Sequence, residues 1–180
     1  MQHFILRAIA YAWTPASAVS CFSGCRGGLS RLYRHRVQTT GDKDVAIAEY
    51  SRSINLLPSN PEPYLGRGYV YEKLGEYEKA LSDYSQAITL NPTDPQVYFI
   101  RGLLYDLLGK TDEAVQDYSV TISLKPNDAD AYFYRGIDWE KMGNTDSAKA
   151  DYRNAVIFGR VDAENGLKAL GGNMGIEGAK

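Results

Sequence analysis

Three aspartates recur at a fixed interval along the chain: Asp83, Asp117 and Asp151. Carboxylates in series suggest metal binding or acid–base chemistry. Here they stand 34 residues apart, about one structural unit each, too far to share one ion. Each has an arginine in its own segment, Arg67, Arg101 or Arg135. That predicts ion pairs between adjacent helices, worth only ~0–1 kcal/mol each if exposed. The remaining reactive side chains are sparse. His3 and His35 lie outside the periodic region, and Cys21 and Cys25 form a CxxxC with no second pair of ligands to complete a zinc site. No glycine-rich loop joins a strand to a helix, and no strand pattern is present. The chain is therefore expected to be no enzyme, with no metal site and no cofactor.

The interval is the organising feature. Tyr98, Gly102, Tyr105, Leu108-Gly109, Ala114, Tyr118, Ile122 and Pro126 form a frame. It occurs 34 residues earlier as Tyr64, Gly68, Tyr71, Leu74-Gly75, Ala80, Tyr84, Ile88 and Pro92. It occurs 34 residues later as Tyr132, Gly136, Trp139, Met142-Gly143, Ala148, Tyr152 and Val156. Within one copy, large residues at helical spacing run to a glycine suited to a left-handed helix end. A second helix then runs to a proline that stops it. The mid-helix glycines Gly68, Gly102 and Gly136 each cost ~0.5–1 kcal/mol against alanine, so their recurrence predicts close helix approach, with Gly68 facing Ala80. A hairpin of this kind cannot bury its apolar face alone, but stacked copies can. Over about 61–160 the sequence resembles the tetratricopeptide repeat (TPR) family. The resemblance implies an all-α solenoid of antiparallel helix pairs, an α-α superhelix.

The frame divides the chain. Repeats are expected at 61–94, 95–128 and 129–161. Ala46, Tyr50, Ile54 and Pro58 mark 42–60 as the second helix of a degenerate leading repeat. A capping helix at 162–170 and a flexible tail at 171–180 complete the expected scheme. Asn60 and Asp94 precede Pro61 and Pro95 as helix caps, and Thr111 and Thr145 are the caps expected for second helices. Charge is uneven. Residues 1–41 hold five arginines and no acid, so all 22 acids follow, beside 15 basic residues, for a balance of −7. An acidic repeat region speaks against nucleic acid, which requires a basic footprint.

Residues 1–25 support three readings. An export signal would use Arg7 as its charged start and small residues at its end. Within it, Phe22-Ser23-Gly24-Cys25 resembles a bacterial lipoprotein box, with Cys25 the candidate lipidation site and phenylalanine in the usual place of leucine. An organelle transit segment fits the arginines, serines and lack of acids. The third reading has no targeting role and leaves the protein cytoplasmic. Export or membrane anchoring is preferred. A membrane would then be met only through this N-terminal anchor, with 26–41 a basic linker or degenerate helix.

One turn around from the packed face of each first helix lie Leu65, Tyr69 and Glu72, then Phe99, Leu103 and Asp106, then Phe133, Ile137 and Glu140. In TPR proteins, the resemblance implies, such residues line a concave groove that binds extended peptides or partner helices. The family's lysine and asparagine clamp for acidic chaperone termini is missing, since Leu65 and Tyr69 stand there. The expected partner is a protein or peptide with apolar anchors and basic flanks. Envelope-lipoprotein scaffolding and self-association are the alternatives, and the oligomeric state is open. Gly68, Ala80, Tyr84, Gly102, Ala114, Tyr118, Gly136, Ala148 and Tyr152 are the expected structural set. Because every repeat signal lies there, residues 42–170 alone are expected to give a strongly helical far-UV spectrum; a coil-like one would place the basic N-terminal stretch in the core.

Overall fold

The computed structural model of the protein describes residues 43–174. Residues 1–25 with Cys25, for which targeting is one expectation, the basic stretch 26–41 and the residues beyond 174 lie outside the described residues. Among the described residues the chain forms eight α-helices and no strand. They are α1 (Lys43–Leu56), α2 (Pro61–Leu74), α3 (Tyr77–Leu90), α4 (Pro95–Leu107), α5 (Thr111–Leu124), α6 (Ala129–Lys141), α7 (Thr145–Ile157) and α8 (Ala163–Ala169). Each packs on the next in sequence. The turns inside each pair are short enough to force an antiparallel return, so α2–α3, α4–α5 and α6–α7 are stacked hairpins. Helix α1 precedes them and α8 follows. The architecture is an all-α superhelix.

Local chemistry sets the helix ends. Asn60 accepts a hydrogen bond from the Glu62 N–H at 3.2 Å, and Asp94 one from the Gln96 N–H at 2.9 Å. Each satisfies a donor that the first turn leaves free, with proline directly behind it. The first helices end at left-handed glycines, Gly75 at φ 77°, Gly109 at φ 72° and Gly143 at φ 77°. Thr111 and Thr145 are not the caps that their type suggests. They are the first helical residues of α5 and α7, because the left-handed glycine turns the chain so tightly that one residue completes the link. Lys110 occupies the cap of α5 without a side-chain bond, and Asn144 caps α7 by accepting from the Ser147 N–H at 3.2 Å.

The core is a line of alanines and tyrosines. Ala80, Tyr84 and Ala87 are buried in α3, Ala114 and Tyr118 in α5, and Ala148, Tyr152 and Ala155 in α7. The mid-helix glycines face these tyrosines and not the alanine expected opposite Gly68. A methyl group on Gly68 would lie 2.8 Å from the Tyr84 ring, on Gly102 2.8 Å from Tyr118, and on Gly136 3.0 Å from Tyr152. The absence of a Cβ at each glycine leaves the space that the ring occupies.

The stack closes at α8. Ala163 and Leu167 are fully buried, and the Tyr152 ring packs on Gly166. Arg160, where the frame would have proline, places its guanidinium 4.0 Å from the Phe133 ring centroid and pairs with Asp130 and Asp162. The chain beyond α8 stays attached as far as 174, which corrects the expectation of a free tail from 171. Met174 packs on the last core cluster, and Arg153 donates to the Asn173 carbonyl at 2.9 Å.

Tyr118 is 0% exposed and central to the stack. Its replacement by alanine is expected to destabilise the protein by ~3–5 kcal/mol, read as a lowered melting temperature; an unchanged one would contradict this packing.

Candidate functional site

The Arg–Asp pairs are the most regular polar feature. Arg67 on α2 grips Asp83 on α3 with two bonds of 2.8 Å. Arg101 does the same to Asp117 at 2.8 and 2.7 Å, and Arg135 to Asp151 at 2.8 Å twice. The three aspartates are buried, at 4–5% exposed, so the pairs are far from the exposed kind considered on sequence alone. Removing one partner of a buried pair costs ~3–5 kcal/mol. Each arginine's third bond goes to a serine of the preceding hairpin or leading helix: Arg67 to Ser51 at 2.9 Å, Arg101 to Ser85 at 2.9 Å and Arg135 to Ser119 at 3.0 Å. One guanidinium thus ties three helices. Hydrogen bonds to the carboxylates push Arg67 and Arg101 above their ordinary pKa, against the opposing pull of burial. This role is structural, and among the described residues no group of three His, Cys, Asp or Glu side chains is placed to hold a metal ion.

The first-helix residues expected to line the groove stay partly open. Leu65, Tyr69, Glu72, Phe99, Leu103, Asp106, Phe133 and Ile137 are half-buried, and Glu140 is exposed. The apolar column also serves the stack. The Phe99 ring lies 5.7 Å from Tyr118 and 5.8 Å from Tyr134, and Phe133 lies 5.6 Å from Tyr134 and 6.0 Å from Tyr152. Phe99 and Phe133 are therefore held in place by neighbouring rings, with the Arg160 guanidinium also over Phe133, while both residues stay half-buried. Rigid aromatic anchors of this sort lose little freedom on binding.

The acidic column is less bare than its sequence suggests. The Tyr84 hydroxyl donates to Glu72 at 2.9 Å, Tyr118 to Asp106 at 2.7 Å and Tyr152 to Glu140 at 2.7 Å. Burial, then the hydrogen bond to the carboxylate, pushes the Tyr118 and Tyr152 hydroxyls far above the ordinary tyrosine range. Lys73 pairs with Glu72 at 2.8 Å. Asp106 is followed by Leu107 where Glu72 and Glu140 are followed by lysines, yet Lys141 reaches it from the next first helix at 2.9 Å. Residues 35 apart in sequence meet here because α4 and α6 lie side by side on this face.

One position breaks the pattern. Val70 and Leu104 are buried at 1% and 2% exposed, and their counterpart in α6 is Asp138, at 0%. Its Oδ1 accepts from Lys141 at 2.8 Å, while Oδ2 is buried without a hydrogen-bond partner. Burial, then the neighbouring Asp106 carboxyl, pushes the Asp138 carboxyl up to about 7, and Lys141 opposes the shift. Sequence reading missed this site, although the substitution of an acid into an apolar column was visible. It also missed the serines, whose spacing matches that of the arginines; serine is too common on helices to stand out.

The family models agree with this geometry. A tetratricopeptide repeat model matches residues 61–94, another matches 84–116, and a TPR repeat model matches 40–75. The chain is a TPR protein. A crystal structure of MamA superposes with a TM-score of 0.69 at 25% identity, covering 75% of this chain and 80% of MamA. MamA 41-end from Desulfovibrio magneticus RS-1 gives 0.68 at 18%, covering 81% and 85%. The first TPR of Spaghetti (RPAP3), bound to the HSP90 peptide SRMEEVD, gives 0.58 at 24%, covering 62% of this chain and 90% of that one. No curated protein matches significantly. These TPR structures share the solenoid fold.

Asp138 makes the stability of this TPR protein pH-dependent. Its folded pKa is raised above the unfolded value, so the folded state holds the proton more tightly. The resulting contribution is complete below about pH 4 and declines as pH rises to about 7. Asp138→Asn is expected to flatten that part of the profile, checked by urea melts at pH 5 and pH 8.

Proposed function

We propose that this protein is a non-catalytic interaction scaffold that binds a peptide or partner protein along the first-helix face of its TPR stack. TPR repeats and the neighbouring TPR structures support a protein–protein interaction role. The observation that carries the groove assignment is the column Leu65, Phe99 and Phe133. These residues are packed from behind by the core, yet none is fully buried. Tyr69, Leu103 and Ile137 extend the column, and Glu72, Asp106 and Glu140 border it. The ligand that fits is a segment with apolar anchors and flanking lysine or arginine. Affinity resides mainly in the apolar anchors, since interface energy concentrates in a few desolvated contacts. The acids act on partner choice and association rate.

The partner is sought by pull-down with the intact protein, followed by mass spectrometry and direct titration of the captured protein. Phe99→Ala is expected to weaken binding more than Asp106→Ala while the protein stays folded by circular dichroism. Asp106→Lys is expected to slow association with a basic partner, with a difference that shrinks in high salt. An acidic partner, or normal binding by folded Phe99→Ala protein, would move the interface to the opposite face or an end of the stack.

A further inference from the structure

The cluster at Asp138 has a feature that stacking does not require. Val70 and Leu104 fill the same place in the other repeats with apolar side chains, and a buried carboxyl is the costlier solution. Polar groups that break a local rule without a structural gain mark functional positions. Two carboxyl groups, Asp106 and Asp138, meet between α4 and α6. A single ammonium, Lys141, bridges them at 2.9 and 2.8 Å. The remaining neighbours are the Tyr118 hydroxyl on Asp106, and Tyr152, whose hydroxyl is taken up by Glu140. Lys141 is half exposed whereas the Asp138 side chain is 0% and Asp106 16% exposed. The cation is therefore the cover of the site, and one carboxyl oxygen beneath it, Asp138 Oδ2, has no partner.

We propose that the Asp106–Asp138 pair is a subsite for a lysine side chain of the partner, with Lys141 as a tethered stand-in that the incoming ammonium displaces. The proposal rests on the groove reading above and gives its basic specificity a location. When Asp138 loses its proton, the two carboxylates carry one charge more than a single ammonium neutralises, so the ionised subsite favours a cation over a neutral group. An incoming ammonium has three donors, enough for Asp106, Asp138 Oδ1 and the orphan Oδ2. Occupation releases the proton that Asp138 holds, so affinity rises with pH across neutrality. Leu65 and Phe99 lie on the same first-helix face, toward the start of the stack, where a neighbouring apolar anchor would bind.

The test uses the full chain and n-hexylammonium as the probe, with 1-hexanol as the uncharged control. Binding is read from the carboxyl carbon resonances of Asp106 and Asp138. In Lys141→Gln, hexylammonium is expected to shift both resonances saturably and to bind about tenfold more tightly than in the unaltered protein, because the tethered competitor is gone. Hexanol is expected to leave both unchanged. Asp138→Leu supplies the residue found at position 104, should fold, and is expected to lose both the binding and its rise between pH 6 and pH 8. If Lys141→Gln does not fold, the comparison of the unaltered protein with Asp138→Leu decides. Equal binding by Asp138→Leu, or no movement of the Asp138 resonance with hexylammonium, would overturn the proposal. Loss of the groove reading would show elsewhere, as unimpaired partner binding by Phe99→Ala, with the probe result intact.

Discussion

The stack depends on a tyrosine ring lying in a glycine notch. Tyr84, Tyr118 and Tyr152 leave no room for even a methyl group on Gly68, Gly102 and Gly136, which fixes how closely each helix pair can approach. The same side chain then extends across the pair, and its hydroxyl ends on an acid near the end of the first helix. Packing and polar satisfaction are solved by one residue. This explains why a mid-helix glycine, a weak helix former, recurs at the same place in each repeat.

Arginine adds what the tyrosine cannot. The tyrosine hydroxyls bond within their own hairpins, whereas Arg67, Arg101 and Arg135 also bond the serine of the element before. The guanidinium fork is planar and its donors are fixed in direction, so it sets rotation as well as distance between successive units. Aromatic rings flank it: Tyr64 and Tyr71 lie near Arg67, and Tyr98 and Tyr105 near Arg101. The half-buried charge is thereby kept from bulk water without losing a partner.

Much of this was legible in the sequence because the period is strict. Helix existence, the left-handed glycines, the caps Asn60 and Asp94 and the buried tyrosines follow from residue type and spacing alone. Contacts between different repeats were harder to read. Lys141 was legible as a neighbour of Glu140, but its bonds run to Asp138 one turn back and to Asp106 in the previous repeat. Such a choice depends on side-by-side helices and on long, rotatable side chains, neither of which a period records. Phe99 and Phe133 show the same limit, since a column on one helix face serves the core and the surface together. Asp138 was missed for a different reason: a periodic frame draws attention to positions that repeat, and this one departs.

The arginine–serine tie also determines where the array stops. The serine column runs Ser51, Ser85, Ser119 and then meets Arg153, while the arginine column runs Arg67, Arg101, Arg135 and then meets Ala169. Both halves of the connection disappear at the same boundary, and Arg153 turns instead to the carbonyl of Asn173. A further repeat stacked on this end by the same contact would find no hydroxyl for its guanidinium and the Arg153 side chain in its place. Open-ended growth by repeating the internal contact would lack its anchor, and a self-similar architecture of this kind needs such a stop to avoid becoming a filament.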